Sequence, residues 1–280
     1  MRPPGRWTIK LRGNLSGAWI RTTGRNGEDQ YHTEVESDFR GTLSMAVAYR
    51  GLGAAVALNP MKLAGKSQDY ELNVNSYSNR FGFDIVFLSS KTYHGKASMN
   101  DEVTPIEKGA IRQQALNVNL YYAFNSKRFS FPAAFSQSYL QRRSAGSFMV
   151  GASFDGQITD IDANETANQQ PINLKLMEIG IGAGYGYNLV AGKRWLFHLS
   201  LLPTFDFYIH SRLKENGERI NLHYRFPSLI TTGRGAAVYS WRNQFAVASL
   251  IYNYSVVGDR DQLQVRRSKW RVRFTYGFRF

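Results

Sequence analysis

The sequence predicts an all-β chain that folds as a membrane-spanning, antiparallel, up-and-down β-barrel of about twelve strands. Three observations predict this class. Apolar and polar residues alternate along most of the chain, aromatic residues make up 14% of it with 16 Tyr and 18 Phe, and short turns alternate with longer polar segments. Because successive side chains of a strand point to opposite faces, this alternation gives each strand one apolar and one polar face. We expect residues 1–280 to form a single domain.

Composition excludes several other classes. The chain has no cysteine, so a disulfide scaffold is excluded, and 43% hydrophobic residues argue against disorder. The longest apolar runs, such as Gly53 to Leu58, are far shorter than the roughly 18 residues of a membrane-spanning helix. The start, Met1 to Pro4, lacks the regions of a signal peptide, so export cannot be inferred from it.

The final strand has the clearest alternation. From Trp270 to Phe280 every second residue is apolar, whereas Arg271, Arg273 and Arg279 share the other face. The same pattern recurs along the chain and predicts an even number of strands, as in bacterial outer-membrane barrels. In chain order the predicted strands are Trp7 to Trp19, Phe39 to Tyr49, Leu52 to Leu58, Tyr70 to Asn75, Arg80 to Phe87, Gln113 to Phe124, Ser147 to Ile158, Lys175 to Val190, Trp195 to His210, Ile230 to Trp241, Gln244 to Val257 and Trp270 to Phe280.

The connections alternate in length, which predicts that both termini lie on the periplasmic side. Short turns follow the even strands at Arg50 to Gly51, Ser78 to Asn79, Ala191 to Arg194 and Arg242 to Asn243. Long polar loops are expected after the odd strands, at Thr23 to Gln30, Asn59 to Gln68, Ser90 to Gly109, Thr159 to Pro171, Ser211 to Pro227 and Gly258 to Leu263.

The tryptophans fit two girdles at the rims of a membrane. Trp7 and Trp19 share one face of the first strand, and a tilted strand separates them by roughly 28 to 30 Å along the membrane normal. The apolar band of an outer-membrane barrel is about 25 Å tall. The predicted girdle residues are Trp7, Trp19, Trp195, Trp241 and Trp270.

The C-terminus resembles the signal by which the barrel-assembly machinery recognises outer-membrane proteins. Its residues are Phe274, Tyr276, Phe278 and the terminal Phe280. Three stretches, Pro4 to Leu11, Gly65 to Leu72 and Phe129 to Ser147, together resemble a family of small outer-membrane barrels from Bacteroides and its relatives, a family described only as a domain of unknown function. The resemblance implies a multi-pass barrel in the cell outer membrane and supplies no catalytic residue.

Charged residues of the inward parity predict a lumen with two walls. The basic wall comprises Lys10, Arg12, Arg40, Arg234, Arg271, Arg273 and Arg279. The acidic wall comprises Glu71, Asp84, Asp155, Glu178 and Asp206. One interpretation is a water-filled channel or solute-selective pore whose net-basic lumen favours small anionic solutes. The alternative is that the charges pair across a narrow lumen and hold a plugged structural or interaction barrel together.

The segment of residues 125–143 is long for the short-turn side and is rich in aromatic residues. Gly180, Gly182, Gly184 and Gly186 form an inward row on one strand, where glycine is unusual unless another backbone approaches closely. The segment could plug the periplasmic mouth against this row. It could equally form a ledge at the membrane interface that docks partner proteins.

The sequence provides no positive sign of catalysis. By the strand assignments His198 and His210 point inward and no outward serine lies beside a histidine, so a lipid-modifying enzyme is only a third hypothesis. We predict no catalytic residue, no metal site and no cofactor. The expected partners are outer-membrane lipids and lipopolysaccharide, the assembly machinery and a small anionic solute. Nucleic acid is not expected, because aromatic residues and arginines occupy opposite faces.

Overall fold

A computed structural model describes residues 7–26, 29–49, 52–58, 69–100, 102–161, 172–215, 218–220, 228–259 and 263–280. The expected turn at Arg50 to Gly51, the loop at Asn59 to Gln68 and most of the loops at Thr159 to Pro171 and Ser211 to Pro227 lie outside these residues. Within the described part of the chain, no helix is long and apolar enough to cross a membrane.

The described chain consists of fourteen strands and one short helix. The first seven strands are β1 Trp7–Asn26, β2 Asp29–Glu36, β3 Arg40–Tyr49, β4 Leu52–Leu58, β5 Tyr70–Tyr77, β6 Phe81–Met99 and β7 Glu102–Ala123. The others are β8 Ala145–Ile161, β9 Ile172–Ala191, β10 Trp195–Glu215, β11 Glu218–Ile220, β12 Ser228–Trp241, β13 Gln244–Asp259 and β14 Leu263–Arg279. The helix is α1 Phe131–Ala134, between β7 and β8.

The strands form a closed antiparallel barrel, so the predicted fold class is confirmed. Ten strands make a hydrogen-bonded circuit in the order β14, β13, β12, β10, β9, β8, β7, β6, β2, β1, and β1 pairs with β14 to close it. β3 continues the line of β2 along β1, while β4 pairs with β3 and β5 pairs with β6. Because β3 continues β2, the two count as one interrupted strand among the ten. Adding β4 and β5 gives the predicted total of twelve strands. The small β11 pairs only with β10.

Two segments expected to be loops are strands instead. β1 and β2 remain paired as far as Asn26 and Asp29, within the expected loop Thr23 to Gln30. β6 and β7 remain paired as far as Met99 and Glu102, so Ser90 to Gly109 is nearly all strand. Polar composition suggested loops, but a segment with few apolar residues forms a strand where its backbone groups are paired, and in Ser90 to Gly109 Tyr93 and Ile106 face the interior. The barrel wall therefore continues well beyond its apolar part.

Apolar side chains cover the outside of the lower barrel, the half nearest the short turns. They remain exposed, with Leu199 at 74% and Phe148 at 72%. Trp7 packs on Tyr49 and Trp195 packs on Tyr239, with ring centroids 4.8 and 4.7 Å apart, near the short-turn end. Trp241 lies in the same row, between Tyr239 and Tyr276. Trp19 and Trp270 lie at the other edge of this belt, against Tyr254 and Phe39.

Inside, the barrel is filled by three layers of side chains. At the short-turn end lies the aromatic floor, formed by Phe129, Phe131 and Phe135 of the 125–143 segment and the wall residues that they contact. The charged layer above it contains Asp84, Asp155, Glu178, Arg234 and Arg267. The apolar ceiling closes the lumen above the charged layer and comprises Ala18, Ile20, Val35, Tyr93, Ile106, Ile111 and Val265.

The close approach of β9 and β10 depends on the inward glycine row. A Cβ atom at Gly182 would lie 1.9 Å from the backbone oxygen of Pro203, and one at Gly184 would lie 2.1 Å from the backbone oxygen of Leu201. At Gly180 the hypothetical Cβ would instead meet the Asp206 side chain at 2.6 Å. Three of the four glycines thus keep β10 and its side chains close to β9.

We expect Gly182→Ala to destabilise the folded barrel by about 2 kcal/mol or more, because a backbone atom must move to admit the methyl group. Gly233→Ala is the matched control, since its Cβ would have nothing nearer than 3.8 Å and should change stability by less than about 1 kcal/mol. Denaturant unfolding in detergent, followed by tryptophan fluorescence, measures both. Equal midpoints for the two variants would contradict the role assigned to Gly182.

Candidate functional site: the charged lumen

Arg267 binds three other side chains of the charged layer. Its guanidinium donates to Asp155 Oδ1 at 3.1 Å, to Gln157 Oε1 at 2.6 Å and to Glu178. In the circuit β14 and β8 are separated by four strands in either direction, so these bonds span the lumen. Because the Glu178 side chain is fully buried, its charge is compensated mainly by this arginine.

A second pair spans the lumen one level lower. Arg234 donates to Asp84 Oδ2 at 2.9 Å, and its strand β12 lies opposite β6 in the circuit. The Arg234 guanidinium also lies 5.1 Å from the centre of the Tyr121 ring, and Tyr77 donates its hydroxyl proton to Asp84. Aromatic faces stabilise a buried cation, so Arg234 has both an anionic and an aromatic partner.

A third group lies on one side of the lumen. Arg40 contacts Asp69 at 3.0 Å and Glu71 at 3.3 Å, and Lys269 lies 3.9 Å from Glu71. Ser16 donates to Glu71 at 3.1 Å. Glu71 was predicted to lie on an acidic wall opposite the arginines, but the structure places it among basic residues of β3 and β14. The two predicted walls are therefore interleaved here.

The remaining basic residues line the lower lumen. Arg273 donates to Asn14 Oδ1 at 2.6 Å and Arg271 donates to Asn73. Arg12 lies on the lumen-facing side of β1 between Lys10 and Asn14, diagonally across from Arg273. Among the described residues, no carboxylate lies within ion-pair distance of Lys10, Arg12, Arg273 or Arg279. The excess positive charge of the lumen is thus concentrated just above the aromatic floor.

The 125–143 segment lies within the short-turn end of the lumen. Phe129 and Phe131 are fully buried, and a Cβ at Gly186 would meet the Phe129 ring at 3.0 Å. Ser130 caps α1 through a bond from Ala133 N to its hydroxyl oxygen. One glycine of the inward row therefore does face this segment.

Hydrogen bonds hold the segment to three strands and to the turn before β6. Lys10 donates to Ser136 O at 2.6 Å, and Arg279 donates to Gln137 O at 3.3 Å. Asn188 donates to Ser130 O at 3.0 Å and to Gln141 Oε1 at 2.7 Å. Ser130 donates to Asn79 Oδ1, beside the turn before β6, at 2.8 Å. The basic residues Lys10 and Arg279 thus hold the segment through its own backbone.

His198 belongs to the same floor. Its Nδ1 lies 2.7 Å from Asn188 Oδ1 and its Nε2 lies 2.9 Å from Ser200 Oγ. Because both amide hydrogens of Asn188 are donated elsewhere, its oxygen accepts from Nδ1, and Ser200 then donates to Nε2. A histidine–serine bond of this kind is also found in nucleophilic sites. Here the rings of Phe129, Phe131 and Phe135 lie within 5.9 Å of the imidazole and cover it.

The parity argument fails at the end of β10. A β-bulge lies between Asp206 and Tyr208, and it reverses the faces of all later residues on the strand. His210 therefore pairs with Met177 and is exposed on the outside, although its predicted position was inward. Asp206 precedes the bulge and is buried in the lumen as predicted. Glu178 pairs with Ile209 in the register and is bound to Arg267.

Three important lumen residues were missed from the sequence. Arg267 and Lys269 share the parity of Arg271, but the final strand was taken to begin at Trp270 when it begins at Leu263. Extending the alternation by three residues would have found both. Asp69 lies just before β5 and accepts bonds from Ser90, Lys91 and Thr92, which no local pattern reveals. Among the described residues no group of three or more metal ligands occurs.

A small cavity lies within the lumen formed by the described residues. It has a volume of about 60 Å³ and lies between the charged layer and the apolar ceiling, lined in part by Tyr93, Asp155 and Arg267. A volume of this size holds only a few water molecules.

Comparison with known proteins gives a family and no activity. A family model described as "Domain of unknown function (DUF4421)" matches residues 1–280. No curated protein matches the chain. The chain is similar to the outer membrane protease OmpT from Escherichia coli, with a TM-score of 0.46 and 7% identity over 100% of this chain and 98% of that one. It is also similar to the outer membrane protein OprG from Pseudomonas aeruginosa, with a TM-score of 0.33 and 10% identity over 99% and 98%. For the P. putida toluene transporter TodX the TM-score is 0.30 and the identity is 8%, over 99% of this chain and 91% of that one. Similarity at this level carries no argument about activity or substrate.

Replacing Arg267 by Met should destabilise the barrel by about 3–5 kcal/mol, because Glu178 and Asp155 would keep buried charges without their partner. Arg266→Met is the matched control: it lies on the outer face of β14, bonded to Gln264, and should cost less than about 1 kcal/mol. Adding Glu178→Gln to Arg267→Met should restore part of the loss. Denaturant midpoints in detergent measure all three variants, and a loss no larger for Arg267→Met than for its control would contradict the assignment.

Proposed function

We propose that this chain, which belongs to the DUF4421 family over its whole length, is an integral outer-membrane β-barrel whose lumen is closed at rest. In this role it is an interaction scaffold that docks partner proteins, not a permanently open pore. The observation that carries the proposal is the pairing of buried charges across the lumen by Arg234 and Arg267.

The exterior supports membrane insertion. Large apolar side chains on the lower wall are exposed in the isolated chain, with Phe207 at 63% and Phe274 at 61%. Contact between water and so large a continuous apolar surface would be unfavourable. Both edges of every strand in the ten-strand circuit are paired, as a membrane requires, and β4 and β5 are each paired along one edge among the described residues. Short turns on one side and extended strands on the other support an orientation with both termini in the periplasm.

The interior supports a closed resting state. The aromatic floor fills the short-turn end, paired charges fill the middle and the apolar ceiling fills the far end. A hydrated pore of solute size would need continuous space through all three layers. The surface left for contacts with other proteins is the wall beyond the apolar belt, where Met99 and Val103 are exposed at the β6–β7 turn.

A gated anion channel is the second candidate. It is favoured by the four basic residues above the floor, Lys10, Arg12, Arg273 and Arg279, which have no carboxylate partner among the described residues. If the 125–143 segment moved away, these side chains would line a mouth that attracts anions. The segment would then be a gate, and not a permanent part of the wall.

In planar bilayers the folded protein should give no discrete current steps, because the aromatic floor fills the short-turn end of the lumen. The double variant Phe131→Ala with Arg234→Ala should produce intermittent current, since it removes a floor ring and a cross-lumen pair. Stepwise conductance by the unmodified protein would overturn the closed state. In that case Arg271→Glu with Arg273→Glu should reduce or reverse the preference for anions, as expected for the channel.

Thiol labelling tests the position of the segment directly, because the chain has no cysteine of its own. Ala134→Cys should resist a water-soluble maleimide until the protein is denatured, since Ala134 is fully buried. Lys127→Cys is the matched control on the same segment and should react in the native state, because Lys127 is exposed. Comparable native rates at the two positions would indicate an open mouth.

A further inference from the structure

A groove crosses the outer wall where β6, β7, β8, β9 and β10 lie side by side. Cross-strand pairing places Phe87, Leu116, Gly156, Met177 and His210 in a single row. Every member of this row except the glycine has a large side chain. The missing side chain at Gly156 leaves a depression in the wall, and the groove around it has a volume of about 330 Å³.

The lower part of the groove is apolar. Phe154 lies directly below Gly156 on β8, and its ring is 3.2 Å from the position that a Gly156 Cβ would occupy. Phe87 and Leu116 line the side towards β6 and Ile158 lies above. Space bounded by aromatic and aliphatic side chains at the upper edge of the apolar belt suits an acyl chain.

The upper part of the groove is basic. Lys175 lines it, and the register pairs Lys175 with Arg212, while His210 lies one row below. The next row contains Arg112, Asp160, Asn173 and Lys214. Asp160, the one carboxylate in this row, accepts a bond from Asn173. Positive charge therefore exceeds negative charge above the apolar depression.

Arg212 adds a second cation beside Lys175, with which it pairs across β9 and β10. A guanidinium carries several N–H donors, and an anionic oxygen is the acceptor that they prefer.

We propose that this groove binds a phosphorylated, multi-acyl lipid of the outer leaflet, the chemistry found in the membrane anchor of lipopolysaccharide. Lys175 and Arg212 hold a phosphate, and the depression at Gly156 holds the beginning of an acyl chain. The height of the site, at the boundary between the apolar belt and the polar wall, matches the depth at which such a phosphate lies. The proposal rests on the orientation proposed above, in which the extended strands face outward.

The test is binding of purified lipopolysaccharide to the full chain in detergent, followed by native mass spectrometry. Lys175→Gln with Arg212→Gln should weaken binding about 30-fold, since each basic contact with an anionic lipid contributes about a fivefold change. Gly156→Leu should weaken it about tenfold by filling the depression. Arg266→Gln, a basic residue on the outer face of β14, is the matched control and should leave binding unchanged.

Lipopolysaccharide freed of its phosphates and inorganic phosphate alone serve as the comparison ligands. The unmodified protein should bind the phosphorylated lipid at least tenfold more tightly than either. Equal binding of the dephosphorylated lipid, equal binding of bare phosphate, or equal loss in Arg266→Gln would overturn the proposal. The comparison on unmodified protein remains decisive even if a variant fails to fold. Because the measurement needs neither orientation nor a closed lumen, its failure is distinct from that of the proposed function.

Discussion

The structure depends on one constraint, which is that a charge buried inside a narrow barrel must find a partner inside it, either an opposite charge or an oxygen that accepts its hydrogen bonds. Water cannot solvate Glu178, whose side chain is completely buried, and an unpaired ion there would cost several kcal/mol. The partner must come from across the lumen, because neighbouring positions in the wall are occupied by Ser153, Asp155 and Gly180. Arg267 is long enough to cross. Pairing of this kind ties opposite walls of the barrel together.

The aromatic floor follows from the same constraint at the short-turn end. There the lumen carries Lys10, Arg12, Arg273 and Arg279 without nearby carboxylates among the described residues. Two of them are bonded to oxygen atoms of the 125–143 segment, so the chain itself supplies the acceptors. The segment can enter because Gly186 has no side chain where the Phe129 ring lies. The basic residues and the aromatic rings below them are therefore linked, because the segment that carries the rings also supplies the oxygen acceptors.

Alternation was sufficient to predict the barrel and its apolar exterior, because the period of two is a property of each strand alone. It missed the inward Arg267 and Lys269, since the final strand was taken to begin at Trp270. It could not predict partners. The pairing of Arg267 with Glu178 depends on the register of every strand pair between β14 and β9. His210 was misplaced since a single bulge after Asp206 reverses the parity. Ser90 to Gly109 was misjudged as a loop because its inward apolar residues, such as Tyr93 and Ile106, are too widely spaced to show the alternation.

Glycines on the inner and outer faces of the same wall have different effects on the structure. On the inner face, Gly182 and Gly184 remove side chains where the β10 backbone approaches, and any larger residue would be excluded. On the outer face, the position of a Gly156 Cβ meets the Phe154 ring at 3.2 Å and no backbone atom nearer than 3.9 Å. The difference lies in what surrounds the missing Cβ. Where backbone atoms surround it, the fold requires glycine, whereas at Gly156 a larger residue would displace only a side chain, so the fold leaves this position open to selection for the proposed binding.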